Sequence, residues 1–250
     1  SERVEMIRLC LTDAELARIY FCPLDDYMYQ DSAWVENVQK IVARVCALGL
    51  HPVHAKVALI GHAKDASGFF LKMFPQWDSI DVVNPPDVHA TKIRDNLFSN
   101  KSLPVENYLP FPVYNWITEW RWHDDSIEEF KRLETEYKHV RNYKKQWSVA
   151  PYPVIHHTVD ALVEQSGHVL LVRRGGMPGE GLLALPGGFL NQTETLLDGA
   201  IRELQEETKI DVPEKVLRGC IVNSHTFDDP YRSTRGRTIT NTIHIKLEDR

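Results

Sequence analysis

The sequence predicts an α/β protein of two domains, the first a parallel sheet carrying helices and the second richer in strands. Three observations support this. Short apolar runs alternate with segments of helical spacing in the first part of the chain, Pro151 and Pro153 interrupt it together, and beyond them the pattern turns to strands. At 250 residues the chain is long enough for two ordinary domains, each with its own core.

Residues 17–23 (ARIYFCP) and 56–61 (KVALIG) are apolar runs bounded by turn or polar residues, the pattern of buried strands. Between them Trp34, Val35, Val38, Ile41, Val42 and Val45 recur at helical spacing and predict a helix over 34–48. A strand near 79–83 and a helix from about Thr91 to Phe98 continue the alternation, which suits a parallel sheet of the nucleotide-binding type. From Asp125 to about Lys145 the chain is highly charged, with Ile127, Phe130, Leu133, Tyr137 and Val140 at intervals; this predicts a long amphipathic helix closing the first domain. The segment WSVAPYP at 147–153 is the expected boundary, because a helix interior does not accept proline, and it divides the chain into 1–147 and 148–250. Residues 157–164 and 168–174 flank the turn Gln165, Ser166, Gly167 as paired strands, and 216–223 and 238–247 supply further strands. Trp77, Trp116, Trp120 and Trp122 are read as packing residues.

With 26% charged and 43% hydrophobic residues the composition is that of a globular protein. A net charge of −6 argues against a nucleic-acid partner. No apolar stretch approaches the ~18 residues that span a membrane, and the opening SERVEMIRLC lacks a signal peptide's order, so the expected location is cytoplasmic, with no membrane partner. Cys10, Cys22, Cys46 and Cys220 show neither metal-ligand spacing nor a disulfide framework, and are read as reduced thiols.

Residues 188–210 read GFLNQTETLLDGAIRELQEETKI. Thr195 followed by Asp198 makes a capping box, so a helix should begin there. Leu197, Ala200, Ile201 and Leu204 form its apolar face, while Glu203, Glu206 and Glu207 gather on another. Carboxylates so close repel one another, and a hard divalent cation with oxygen ligands relieves that repulsion. Upstream, Pro186, Gly187 and Gly188 let the backbone approach the same metal, with a carbonyl of Gly187 as a candidate ligand.

This stretch resembles the Nudix box, whose specified positions fall on Gly188, Glu194, Arg202, Glu203, Leu204, Glu206, Glu207 and Ile210; Lys209 stands where the family has its second glycine. The resemblance implies an α+β Nudix fold with a mixed sheet between helices. It also implies metal ligation by Gly187, Glu203, Glu206 and Glu207, catalytic roles for Glu206, Glu207 and Arg202, and an Arg202–Glu194 pair that fixes the loop. The implied cofactor is Mg²⁺, with Mn²⁺ able to replace it, and the implied reaction is attack of water on a pyrophosphate. A general base is expected on a later loop; none is evident before Arg250, and the sequence reads as a fragment whose last strand and helix lie beyond it.

Residues 225–240, HTFDDPYRSTRGRTIT, carry Arg232, Arg235 and Arg237, whose planar forks suit phosphate; Arg173 and Arg174 are candidates of the same kind. The segment resembles ADP-ribose-directed Nudix proteins and implies cleavage of ADP-ribose to AMP and ribose 5-phosphate. Residues 60–71, 74–78 and 91–94 (TKIR) resemble the adenylyltransferase half of bifunctional nicotinamide-mononucleotide (NMN) adenylyltransferase/Nudix proteins. That implies a Rossmann-like nucleotidyltransferase domain, with NMN and ATP as partners of the full-length protein and Thr91 and Arg94 holding phosphate at a helix start. His62, Lys64 and Asp65, after a strand, are further binding candidates. The family's His-any-Gly-His segment is missing, so the sequence as given is expected not to form NAD; such a segment would precede Ser1. Two alternatives stand beside this reading: a hydrolase of another nucleoside diphosphate derivative, and a non-catalytic ADP-ribose sensor. A homo-oligomer is left open.

Overall fold

The computed structural model describes residues 1–27, 29–48, 56–61, 66–82, 89–99 and 108–248, and the chain divides into two compact units, Ser1–Ser126 and Ile127–Arg250.

In the first unit the elements are α1 (Glu2–Arg8), α2 (Asp13–Leu16), α3 (Asp31–Ala47), β1 (Ala58–Gly61), a 3-10 helix (Ala66–Lys72), β2 (Asp78–Asp81), α4 (Ala90–Phe98) and α5 (Phe111–Trp120). β1 and β2 pair in parallel, Ala58 opposite Asp78 and Gly61 opposite Asp81, as the alternation predicted. The expected strand at 17–23 is absent: α2 ends at Leu16 and, among the described residues, no strand pairs with that segment. β1 and β2 are also less buried than their apolar runs suggest, with Ile60 68% and Ile80 52% exposed; each has one neighbouring strand among the described residues. Phe74 anchors the packing, 5.7 Å from Trp34 and stacked on Trp77 at 4.8 Å between ring centroids. Trp116 and Trp120 stack likewise, but Trp122 departs from the expected packing role: it is 66% exposed beneath the Arg121 guanidinium.

In the second unit α6 (Ile127–Trp147) is followed by β3 (His156–Gln165), β4 (His168–Val169), β5 (Val172–Arg173), β6 (Leu183–Ala184), β7 (Gly187–Phe189), α7 (Leu196–Thr208), α8 (Glu214–Gly219), β8 (Ile221–Phe227) and β9 (Thr238–Lys246). The helix expected to close the first domain thus groups with the second. Tyr143 and Trp147 on it pack against the His156 ring at 5.4 and 5.2 Å, a contact that spacing alone does not reveal. α8 takes the start of the predicted strand at 216–223: the Pro213 carbonyl accepts from the Val216 and Leu217 N–H groups and opens a helical turn there.

The main sheet is mixed and runs β4-β3-β9-β8, with β7 also on β3. β3 and β9 are parallel, from His156 opposite Thr238 to Glu164 opposite Lys246, and β8 and β9 are antiparallel. Strand alternation turns Val159, Ala161, Val163, Ile243 and Ile245 to one face, where they form a core with Ala200, Ile201 and Leu204 of α7 and with Leu217. Each valine, leucine or isoleucine among them stabilises the fold by about 1.5–3 kcal/mol on burial, so Leu204→Ala would cost about 2–5 kcal/mol. The opposite face carries Thr158, Asp160 and Thr240. All four cysteines are free, and no helix among the described residues is long and apolar enough to cross a membrane.

Candidate active site

Helix α7 begins as its sequence requires. The Thr195 hydroxyl accepts from the Asp198 N–H at 3.2 Å, and the Asp198 carboxylate accepts from the Thr195 N–H at 3.3 Å and from its hydroxyl at 2.6 Å. The helix leaves through Lys209 in a left-handed conformation, φ 55° and ψ 31°. This is the geometry a glycine adopts without strain, so the exit is kept although the glycine is not.

The face of α7 with the acidic residues is sorted into two groups. Arg202 organises the first. Its Nε and Nη2 donate to the two oxygens of Glu194 at 2.9 and 2.8 Å, and its Nη1 donates to Glu203 at 2.8 Å and Glu206 at 3.1 Å. The Arg202 bonds, with the Asn191 backbone N–H, hold the Glu194 carboxyl down at about 2, and the same pairing raises Arg202. Glu206, whose side chain is 60% exposed, therefore belongs to this network and lines a polar groove with Asp198, Lys209 and Arg218. Glu203 and Glu206 share Arg202 Nη1, while Glu207 turns to the Gly187 N–H.

The second group faces the start of β7. Glu207 accepts from the Gly187 N–H at 3.1 Å, and Glu203 sits where a side chain on Gly188 would have to be. A Cβ on Gly187 would collide with Asp160 Oδ1 and the Val159 carbonyl. The two glycines are thus required by the closeness of the carboxylates. Asp160, opposite Gly187 in the β3–β7 register, is mostly buried, and burial pushes its carboxyl up to about 6. Arg232 and Arg174 offset part of that rise, while Glu207 and Glu203 add to it. Sequence reasoning misses Asp160; the available signal is an acid at a strand position flanked by apolar neighbours in HTVDALVE.

Asp160, Arg174, Arg232, Arg235, Thr158, Thr240 and Gly188 line a cavity of about 290 Å³. Arg232 donates to the Thr240 hydroxyl, which lies 2.7 Å from that of Thr158, and Arg174 Nε donates to the Pro178 carbonyl at 3.0 Å. Arg173 donates to the Gly181 carbonyl at 2.6 Å and lines an adjoining cavity of about 300 Å³ with Arg174, Gly187 and Glu207. Arg237 donates to the Asp228 carbonyl, and among the described residues it does not line the Asp160 cavity. In the first unit Thr91 and Arg94 are exposed in the opening turns of α4, and His62, Lys64 and Asp65 lie outside the described residues.

Among the described residues no three His, Cys, Asp or Glu side chains are arranged to hold a metal as they stand. The donor set nevertheless fits a hard divalent cation: a mostly buried carboxylate, raised chiefly by burial, with Glu207 and Glu203 near it, and two glycines that leave the backbone open beside it.

A NUDIX domain model matches residues 154–249. The chain is 30% identical over 138 residues to a nicotinamide/nicotinic acid mononucleotide adenylyltransferase of Acinetobacter baylyi, spanning 55% of this chain and 67% of that protein. It is 32% identical over 96 residues to an ADP-ribose pyrophosphatase of Methanocaldococcus jannaschii, spanning 38% of this chain and 52% of that protein. A crystal structure of a bifunctional NMN adenylyltransferase/ADP ribose pyrophosphatase from Francisella tularensis, complexed with AMP and a manganese ion, superposes with a TM-score of 0.87 at 32% identity, covering 100% of this chain and 71% of that one.

Proposed function

The chain belongs to the family of bifunctional NMN adenylyltransferase/ADP-ribose pyrophosphatases, and from that premise we propose that its second unit hydrolyses ADP-ribose to AMP and ribose 5-phosphate with the help of Mg²⁺. The observation that carries the proposal is the opposition of Asp160, Glu203 and Glu207 to Arg174, Arg232 and Arg235 around Gly187 and Gly188. A diphosphate needs cationic groups for its oxygens and a metal between it and the carboxylates, and this arrangement offers both sides.

In this reading Glu203, Glu207 and Asp160 hold the metal, with Gly187 presenting backbone beside it. When bound, the metal would neutralise phosphate charge and lower the pKa of an attacking water. Arg174, Arg232 and Arg235 take phosphate oxygens, and the hydroxyls of Thr158 and Thr240 orient Arg232. Arg202 acts at one remove: its bonds to Glu203, Glu194 and the Phe189 carbonyl, the last at 3.2 Å, fix the glycine loop against α7. Glu206 is left to that network. Arg173 and Arg237 do not line the Asp160 cavity and have the weaker claim to substrate.

The first unit is proposed as the adenylyltransferase-like half, with Thr91 and Arg94 taking phosphate of ATP beside NMN. A cytoplasmic location and Mg²⁺ in preference to Mn²⁺ are parts of the same proposal. The test is release of AMP by the protein from ADP-ribose, NAD, NADH and nucleotide sugars, with Mg²⁺ or Mn²⁺, and again with Glu207→Gln. ADP-ribose should be turned over fastest and the variant should be nearly inactive. Binding of ADP-ribose in stoichiometric amount without turnover would replace the hydrolase with a sensor.

A further inference from the structure

Helix α6 precedes the matched stretch 154–249, yet it touches the candidate site at two points. Glu136 accepts from the Gly179 N–H at 3.2 Å, next to the Pro178 carbonyl that holds Arg174. Two helical turns further on, the Tyr143 ring lies 5.9 Å from the Arg235 guanidinium, which also rests on the Phe189 ring at 4.9 Å. Tyr143 is itself fixed, its hydroxyl 3.4 Å from His156 Nδ1.

Arg235 differs from the other arginines of the second unit's cavities. Arg173, Arg174 and Arg232 each donate to a carbonyl or hydroxyl. Arg235 Nε, by contrast, is buried and has no hydrogen-bond partner among the described residues. Burial lowers its pKa, as does the nearby charge of Arg174, while Tyr143 acts the other way. A buried donor left unmade is unfavourable unless a ligand takes it. The aromatic rings accommodate the flat surface of the guanidinium, so what remains for a ligand is its edge, and an edge of N–H groups binds oxygens of phosphate.

We infer that Tyr143 is a positioning residue which, with Phe189, holds Arg235 so that the guanidinium edge lining the cavity reads a phosphate oxygen of the substrate. Helix α6 is then part of the hydrolytic unit and not a spacer before it. The inference rests on the diphosphate reading proposed above, and deepens it by giving one of its three arginines a support in a residue outside the matched stretch.

The test is a double-mutant cycle in the full chain. Binding of ADP is measured calorimetrically with a chelator present, and KM and kcat for ADP-ribose are measured with Mg²⁺. Arg235→Gln and Tyr143→Leu should each weaken ADP binding and raise KM about 10-fold, with kcat changed less than about 3-fold. The double variant should lose no more than Arg235→Gln alone. Tyr143→Phe should retain binding, and Arg235→Lys, which keeps charge but not the planar fork, should lose it. Tyr143→Met replaces Tyr143→Leu if the latter does not fold, with the same expected loss. Unchanged binding without the Tyr143 ring, losses that multiply in the double variant, or full binding by Arg235→Lys would overturn the inference. If the cycle shows coupling while wild type leaves ADP-ribose intact, the substrate reading fails and the positioning role stands. Hydrolysis without coupling keeps the substrate reading and removes the positioning role.

Discussion

Two charge clusters meet at helix α7, and they are settled differently. Around Arg202 every acid has a partner: Glu194 is held bidentately, and Glu203 and Glu206 share the remaining nitrogen. Around Asp160 the charges are close and only partly compensated: burial pushes the carboxyl to about 6, Arg232 and Arg174 offset part of that rise, and Glu207 and Glu203 add to it. The first cluster is held together by its own arginine. The second is only partly balanced by the protein's own groups, a condition that suits a cation and an anionic substrate.

The contrast is most sharply tested on the partly balanced side. Glu207→Gln should reduce AMP release from ADP-ribose on the order of 10³-fold, the several kcal/mol of charge stabilisation a metal supplies, while Tm moves less than about 2 °C; undiminished turnover would break the distinction. Asp160→Asn should lower turnover roughly 10- to 100-fold without lowering Tm, because it removes a buried charge instead of a bond; a clear fall in Tm would place Asp160 with the structural acids. On the balanced side the expectation reverses, and Arg202→Met should lower Tm by about 3–6 °C, because Glu194 and Glu203 lose their partner.

Two smaller effects sharpen the structural half. The Asp198 carboxyl is held at about 2, against an ordinary 3.8, by the Thr195 hydroxyl and then Arg218. The folded state prefers the ionised form, so this stabilisation is present above pH about 4 and is lost as pH falls toward 2. Asp198→Asn should lower Tm by about 2–4 °C at pH 7, with the gap to wild type closing at acid pH; a constant gap would exclude the linkage. Lys209→Gly should raise stability by up to about 1 kcal/mol in denaturant titration, because glycine adopts the left-handed exit without a Cβ clash.

Much of this is legible in the sequence because it is local. The capping box at Thr195 and the apolar face of α7 follow from spacing within one segment, and the Arg202–Glu194 pair is what the Nudix-box resemblance implies. Asp160 is hidden because its significance depends on Gly187, brought opposite it by strand pairing, and on α7 packed nearby. Glu206 groups with Glu203 and Glu207 on a helical wheel because spacing gives proximity, but not the direction in which a neighbouring arginine draws each side chain. Tyr143 falls in the first domain by sequence because Pro151 and Pro153 look like a boundary, whereas the ring reaches back across them to His156. In the first unit, the apolar run at 17–23 looks like a strand to any periodicity argument, and only a pairing partner makes it one.

The order of strands in the second unit has a consequence for how the protein is made. β9, which follows β3 and β8 in the chain and so leaves the ribosome after them, lies between the two, and the Thr158 and Thr240 hydroxyls that meet across the β3–β9 pair are 82 residues apart in sequence. Until that strand emerges, β3 and β8 each present a bare edge to solvent or to another nascent chain, so assembly is both slow and exposed to misassociation. Chaperone demand should therefore peak late in translation of this unit, not at its start.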